Sequence, residues 1–239
     1  MRALLWLVGL ALLLTGCASE KGIIDKEGYQ LSSHYLIPAT PPLYGGKPRI
    51  WQLVPEQDQA WHAGVSFWRG ATRLNDTSIG IELENRGWRM SGGVKSFAPF
   101  ESAQIQALIP LAKDIIARYD IKPQNVVAHA DIAPQRKDDP GPRFPWRELA
   151  AQGIGAWPDA PRVAFYLAGR APYTPVDTAT VLALLSRYGY EVKADMTARE
   201  QQRVIMAFQM HFRPAQWNGI ADAETQAIAE ALLEKYGQD

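Results

Sequence analysis

Apolar and polar positions divide the chain into a greasy start, an alternating middle and a helical end. Behind Met1-Arg2, the stretch Ala3–Leu14 is an apolar run closed by Thr15-Gly16-Cys17. A charged start, a short apolar core and small residues predict a secretory signal peptide; the run is shorter than the roughly 20 residues of a spanning helix. Ser32–Ala39, Arg49–Pro55 and Ser78–Asn85 are short, β-rich and bounded by Pro, Gly or Asn, and are expected to be strands. Between Glu101 and Tyr119, Ile105, Leu108, Ile109, Ala112, Ile115, Ile116 and Tyr119 recur at spacings of three and four, one face of a helix with Pro110 as a place for a bend. Asn125-Val126-Val127-Ala128-His129 then reads as a buried strand with a histidine at its end, and helix followed by strand makes the region α/β.

Pro145–Gln152 and Pro158–Gly169 read as short helices, and Ala171-Pro172-Tyr173-Thr174-Pro175 as a linker. Beyond it, helices are expected over Asp177–Tyr188, ended by Gly189, over Thr197–Phe212, opened by a Thr197-Ala198-Arg199-Glu200 capping box, and over Asp222–Tyr236. They make a small all-α three-helix module. The expected divisions are a leader over 1–17, an α/β domain over 18–170 and the helical module over 175–239.

Lys and Arg number 25 against 25 Asp and Glu, so there is no basic excess for a nucleic-acid partner. A single cysteine excludes an internal disulfide framework and a zinc site of several thiolates, and leaves histidine and carboxylate as metal ligands. That cysteine, Cys17, ends Leu14-Thr15-Gly16-Cys17, which resembles the lipobox of bacterial lipoproteins. The resemblance implies a lipid anchor at Cys17, and Ala18 after it implies the outer membrane, facing the periplasm. More than one acyl chain gives a stable anchor.

Histidine is scarce: His34, His62, His129 and His211. His129 enters a loop that returns a carboxylate at Asp139, and one imidazole with one carboxylate is two thirds of an open catalytic zinc site. On spacing alone, a histidine at a strand end is more often a packed structural residue. Glu82 shares a strand face with Glu84 and by default reads as solvated, as does Lys137 in its charged loop. Asp138 competes with Asp139. His62 with Trp61, and with Trp68 and Trp88, is a candidate groove lining, with core packing as the alternative. His34, beside Tyr35, reads as packing or groove lining, and His211 as structural or wall-binding.

His129-Ala130-Asp131-Ile132-Ala133-Pro134 with Arg136-Lys137-Asp138-Asp139-Pro140-Gly141 resembles the second-half signature of zinc N-acetylmuramoyl-L-alanine amidases of the type-2 amidase and peptidoglycan-recognition-protein family. Ser33-His34-Tyr35-Leu36-Ile37, Trp61-His62-Ala63-Gly64, Asn75-Asp76-Thr77-Ser78-Ile79-Gly80-Ile81-Glu82 and Phe144-Pro145-Trp146 are similar to it in the same order. The resemblance implies a mixed central sheet flanked by helices, zinc on His129 and Asp139, Glu82 as the catalytic carboxylate and Lys137 near the developing oxyanion. His62, Trp61 and His34 would touch substrate, and the C-terminal module is similar to three-helix peptidoglycan-binding domains. The implied reaction is hydrolysis of the amide between N-acetylmuramic acid and L-alanine in peptidoglycan or its fragments, by a monomer in the cell envelope.

The family takes its first zinc histidine from a strand ahead of Ser-Ser-His-Tyr. Here only the polar, histidine-free stretch Ala18–Leu31 stands between Cys17 and Ser32, so an internal segment is expected to be missing. That absence favours a second reading, a lipid-anchored peptidoglycan-binding protein that no longer catalyses. A third is a zinc peptidase on the stem peptide, which would leave L-alanine on the sugar.

Overall fold

Ser78-Ile79-Gly80-Ile81-Glu82-Leu83-Glu84 is buried along its length except at Glu84, the mark of a strand covered on both faces. A computed structural model describes the backbone of residues 4–10, 23–24 and 30–237 and the side chains of residues 32–237. Its strands in chain order are β1 (Leu4–Leu10), β2 (Ile23–Ile24), β3 (Gln30–Leu31), β4 (Tyr35–Ile37), β5 (Leu43–Tyr44), β6 (Lys47–Pro48), β7 (Trp51–Gln52), β8 (Ser78–Glu84), β9 (Trp88–Ser91), β10 (Val94–Phe97) and β11 (Val126–Ala128). Five form the central sheet in the order β11-β1-β8-β4-β7, and the rest pair as two-stranded ladders. β11, β1, β8 and β4 run parallel and β7 antiparallel, so the sheet is mixed, as expected.

The position of β1 departs from the sequence reading. Leu4–Leu10, inside the expected leader, lies in the middle of the sheet, paired with β8 over Leu4–Leu10 and with β11 over Leu5–Leu7. A continuous apolar run suits a buried parallel strand as well as the core of a signal peptide, and the sequence holds no local signal that separates the two. Cys17 and residues 11–22 lie outside the described residues.

The helices are α1 (Leu74–Thr77), α2 (Ser102–Tyr119), α3 (His129–Ile132), α4 (Trp146–Ala151), α5 (Ala160–Leu167), α6 (Thr178–Tyr188), α7 (Ala198–Phe212) and α8 (Ala223–Tyr236). α2 carries Pro110 within its span and buries Leu108, Ala112 and Ile115 against the sheet. α7 opens on the expected capping box at Thr197 and Glu200, while Asp177 and Asp222 cap α6 and α8. α5, placed by sequence with the α/β domain, packs on α8 across the linker. Arg162 meets Glu234 at 2.8 Å, and Lys235 reaches Asp159 at 2.6 Å. One hydrophobic core runs through both parts, and Trp68, 2% exposed, packs edge-on to Tyr188 and Tyr190 rather than lining a groove. No helix among the described residues is long and apolar enough to cross a membrane.

Candidate active site

Parallel strands end at one edge, and the register puts two candidate residues at the same level there. Leu7 of β1 pairs with both Ile81 of β8 and Ala128 of β11, so Glu82 and His129 follow one step on, either side of β1. The carboxyl ends of parallel strands are where α/β folds place their chemistry. Between the two, at the same level of β1, the sequence supplies Val8.

His129 opens α3 as the chain leaves β11. Its Nδ1 lies 3.1 Å from Oδ2 of Asp139, and the backbone N–H of Ala130 donates to the Asp139 carbonyl at 2.9 Å, closing the loop on itself. Burial pushes the Asp139 carboxyl up, but the charge and hydrogen bond of His129 and the charge of Lys137 outweigh it and hold it below its ordinary value. Glu82 goes the other way. Burial first, and the charge of Asp139 second, push it up to about 7 against the opposing pull of Lys137 and the Ser33 hydroxyl. These effects join Glu82, Asp139, His129 and Lys137 into one electrostatic cluster. Asp138 is held elsewhere, with Lys95 at 2.5 Å and Arg203 at 3.4 Å.

The expected substrate contacts divide. His34 is fully buried: its Nδ1 accepts from the Gly80 N–H at 3.1 Å, and its Nε2 lies 3.1 Å from the Asp58 carbonyl. His62, also buried, sets its Nε2 2.8 Å from the Ser78 hydroxyl, and its ring sits edge-on to His34 at 5.3 Å. The two therefore form an interior polar pair beside β8, the packing that the sequence left open as the alternative to groove lining. Gly80 makes room for it, since a Cβ there would come within 2.6 Å of the His62 ring. Trp61 is 49% exposed and lines a cavity of about 770 Å³ with Arg73, Gln135, Arg136 and Lys193. Glu82, His129 and Asp139 are not among the cavity's walls, so it borders the 132–136 stretch of the loop and not the charged cluster itself. Trp88 is exposed on the β9–β10 hairpin, under the Lys95 ammonium.

Arg136 was missed by the sequence reading because it stands in a charged run that looks solvated. Its guanidinium donates to the Ala63 and Val65 carbonyls at 2.9 and 2.7 Å and so ties the Trp61–Val65 segment to the loop. Gly64, at φ +58°, lets it approach.

Among the described residues no group of three or more His, Cys, Asp or Glu side chains is gathered as metal ligands: His129 and Asp139 are the two donors found there, where an open catalytic zinc site takes three. His34 does not supply the third, because both its ring nitrogens face the Asp58 and Gly80 backbone.

The family model described as N-acetylmuramoyl-L-alanine amidase matches residues 13–142. The chain is similar to the N-acetylmuramoyl-L-alanine amidase AmiD of Escherichia coli (strain K12), 71% identical over 276 residues that span 100% of both chains. That aligned span is longer than the 239 residues here, so AmiD has residues with no counterpart in this chain. Its fold is similar to the solved complex of E. coli AmiD with anhydro-N-acetylmuramic acid-L-Ala-D-gamma-Glu-L-Lys, with a TM-score of 0.90 and 73% identity over 99% of this chain and 90% of that one. It is also similar to AmpDh3 of Pseudomonas aeruginosa in complex with anhydromuramic pentapeptide, with a TM-score of 0.80 and 43% identity over 98% and 92% of the two chains.

Proposed function

The chain belongs to the N-acetylmuramoyl-L-alanine amidase family, and from that premise we propose that it hydrolyses the amide between N-acetylmuramic acid and L-alanine in anhydro-muropeptides or peptidoglycan. The observation that carries the reading is the placement of Glu82: a buried carboxyl level with His129 across β1 at the strand ends, where burial and the charge of Asp139 push it up against the pull of Lys137. A group balanced near neutral pH takes the proton of an attacking water and returns it to the departing L-alanine nitrogen. Lys137 puts positive charge where the tetrahedral oxygen forms. The His129–Asp139 pair keeps a second carboxylate charged beside Glu82, and Trp61 with Arg136 lines the neighbouring cavity along residues 132–136, which would take parts of the substrate remote from the amide that is cut. AmiD and AmpDh3, both solved with anhydromuramyl peptides, support that substrate class.

Zinc is the metal the resemblance implies, and His129 and Asp139 are the donors this chain offers it. That the described residues bring no third donor to His129 and Asp139 is the specific observation that favours the second reading, a protein that binds muropeptide without turning it over. An outer-membrane anchor at Cys17 belongs to the same proposal, and processing there would remove β1 from the sheet. The deciding experiment measures zinc per chain together with release of L-alanine-led peptide from purified peptidoglycan. Release that is lost in Glu82→Gln supports the amidase. Binding to sacculi with no release selects the second reading, and L-alanine left on the sugar selects a peptidase.

A further inference from the structure

The loop from His129 to Asp139 carries both members of the charged pair at its ends, and its middle is fastened to the C-terminal module. Asp131, fully buried, accepts on one oxygen from the Tyr190 hydroxyl at 2.6 Å. Its other oxygen lies 2.7 Å from His211 Nδ1 and accepts at 2.7 Å from the N–H of Ala128, the residue before His129. Arg203 Nε donates to the Pro134 carbonyl at 2.9 Å, and its Nη2 lies 3.4 Å from Asp138, next to Asp139. The Gln135 side-chain amide donates to the Glu200 carbonyl at 3.0 Å. Glu200, Arg203 and His211 are three and then eight residues apart, which puts them on one face of α7 at 3.6 residues per turn. Trp146 of α4 stacks on the His211 ring at 3.9 Å and fixes its plane.

We infer that α7 is a positioning platform for the reaction: Arg203 and His211 hold the His129–Asp139 loop in its working shape through Pro134, Asp138 and Asp131. A module that served only to grip the cell wall has no use for a buried histidine and an arginine aimed into the catalytic loop. Buried polar contacts whose members are satisfied rigidify a structure and specify one arrangement among several. The arrangement selected here is the turn after β11 that presents His129 to Asp139.

The test uses the full chain. His211→Ala strips the partner from a buried carboxylate and risks unfolding, so Arg203, a quarter exposed, is the primary target. Arg203→Ala, Arg203→Lys and, as a control, Arg199→Ala on the exposed side of α7 are compared by hydrogen exchange and by kcat and KM on anhydro-muropeptide. In Arg203→Ala, amides 130–139 are expected to exchange about tenfold faster while α6 and α8 keep their protection. kcat is expected to fall by up to about a hundredfold with KM little changed. Arg203→Lys recovers part of both effects, and Arg199→Ala matches the wild type. Unchanged exchange of 130–139 in Arg203→Ala overturns the inference. The kinetic arm rests on the amidase reading; if the wild type releases no peptide, that reading fails and the exchange arm still decides this one.

Discussion

Replacing Glu82 by Gln separates catalysis from stability, and the sign can be worked out in advance. The Glu82 carboxyl is pushed from 4.5 to about 7 on folding, chiefly by burial and secondly by Asp139. A shift of about 2.5 at about 1.4 kcal/mol per unit is worth about 3 kcal/mol. Because the native state holds the proton more tightly, the contribution is fully present below pH 4.5, is lost as pH rises to 7 and changes no further above it. Glutamine keeps the shape and never ionises. In chelated protein, urea unfolding of wild type and Glu82→Gln should therefore coincide at pH 4, diverge between about pH 4.5 and 7, and leave the variant about 3 kcal/mol more stable at pH 8. Peptide release by the variant should be lost at every pH. Other carboxyls titrate alike in both proteins and cancel in the difference. A stability gap independent of pH would refute the argument, because Glu82 would then carry no ionisation penalty and would not be the group poised to move a proton.

Glu56, which accepts from Arg118, Tyr35 and Tyr119 and is lowered from 4.5 to about 2, ties β4 to α2. Glu56→Gln should cost about 1–3 kcal/mol by urea unfolding at pH 7, and less as pH falls from 4.5 towards 2. Gly80→Ala drives a methyl into the His62 ring and should destabilise by about 1–3 kcal/mol in the same assay, with the far-UV spectrum retained. A chain starting at Ala18 lacks β1, leaving β8 and β11 without their shared neighbour, and should melt at least about 10 °C below the full chain by calorimetry. Equal melting would exclude Leu4–Leu10 from the fold that matters and leave the leader as its sole role.

The longer helices were legible because each has a face of its own: the three-and-four spacing of Ile105 to Tyr119 and the capping box at Thr197 are local signals that packing did not override, whereas the one-turn helices α1 and α3 are too short to show any spacing. What failed were statements about partners. α5 stands before the linker, yet its face finds α8, a choice made by three-dimensional fit and not by anything within residues 160–167. Packing and groove lining were not separable for His34 for a related reason: a histidine with both ring nitrogens supplied by backbone can be buried, and the supplier at Gly80 lies 46 residues away. Glu82 was read as one of two carboxylates on a polar strand face, but the strand is covered on both sides, so only Glu84, at its end, is exposed. Coverage is a property of the sheet order, and the sheet order rested on a strand that looked like a leader.

Three carboxylates near the site looked alike in the sequence, and their surroundings now give them different work. Asp138 is spoken for by Lys95 and Arg203, so it anchors the loop and is not available to a reacting group. Asp139 sits on His129 with its carboxyl held below the ordinary range, so it is a fixed negative charge across the working pH. That fixed charge is itself one of the causes that push Glu82 up to about 7. Two acidic groups driven apart in this way assign their own roles: the lowered one stays ionised and the raised one exchanges its proton. The consequence reaches beyond Glu82. Asp139→Asn removes the second-largest cause of the Glu82 shift, so the rise of the wild-type to Glu82→Gln stability gap should move to lower pH in that background, towards 4.5. The same urea series, repeated on Asp139→Asn with and without Glu82→Gln, measures the movement, and an unshifted curve would mean that the Asp139 charge has no part in setting the Glu82 carboxyl.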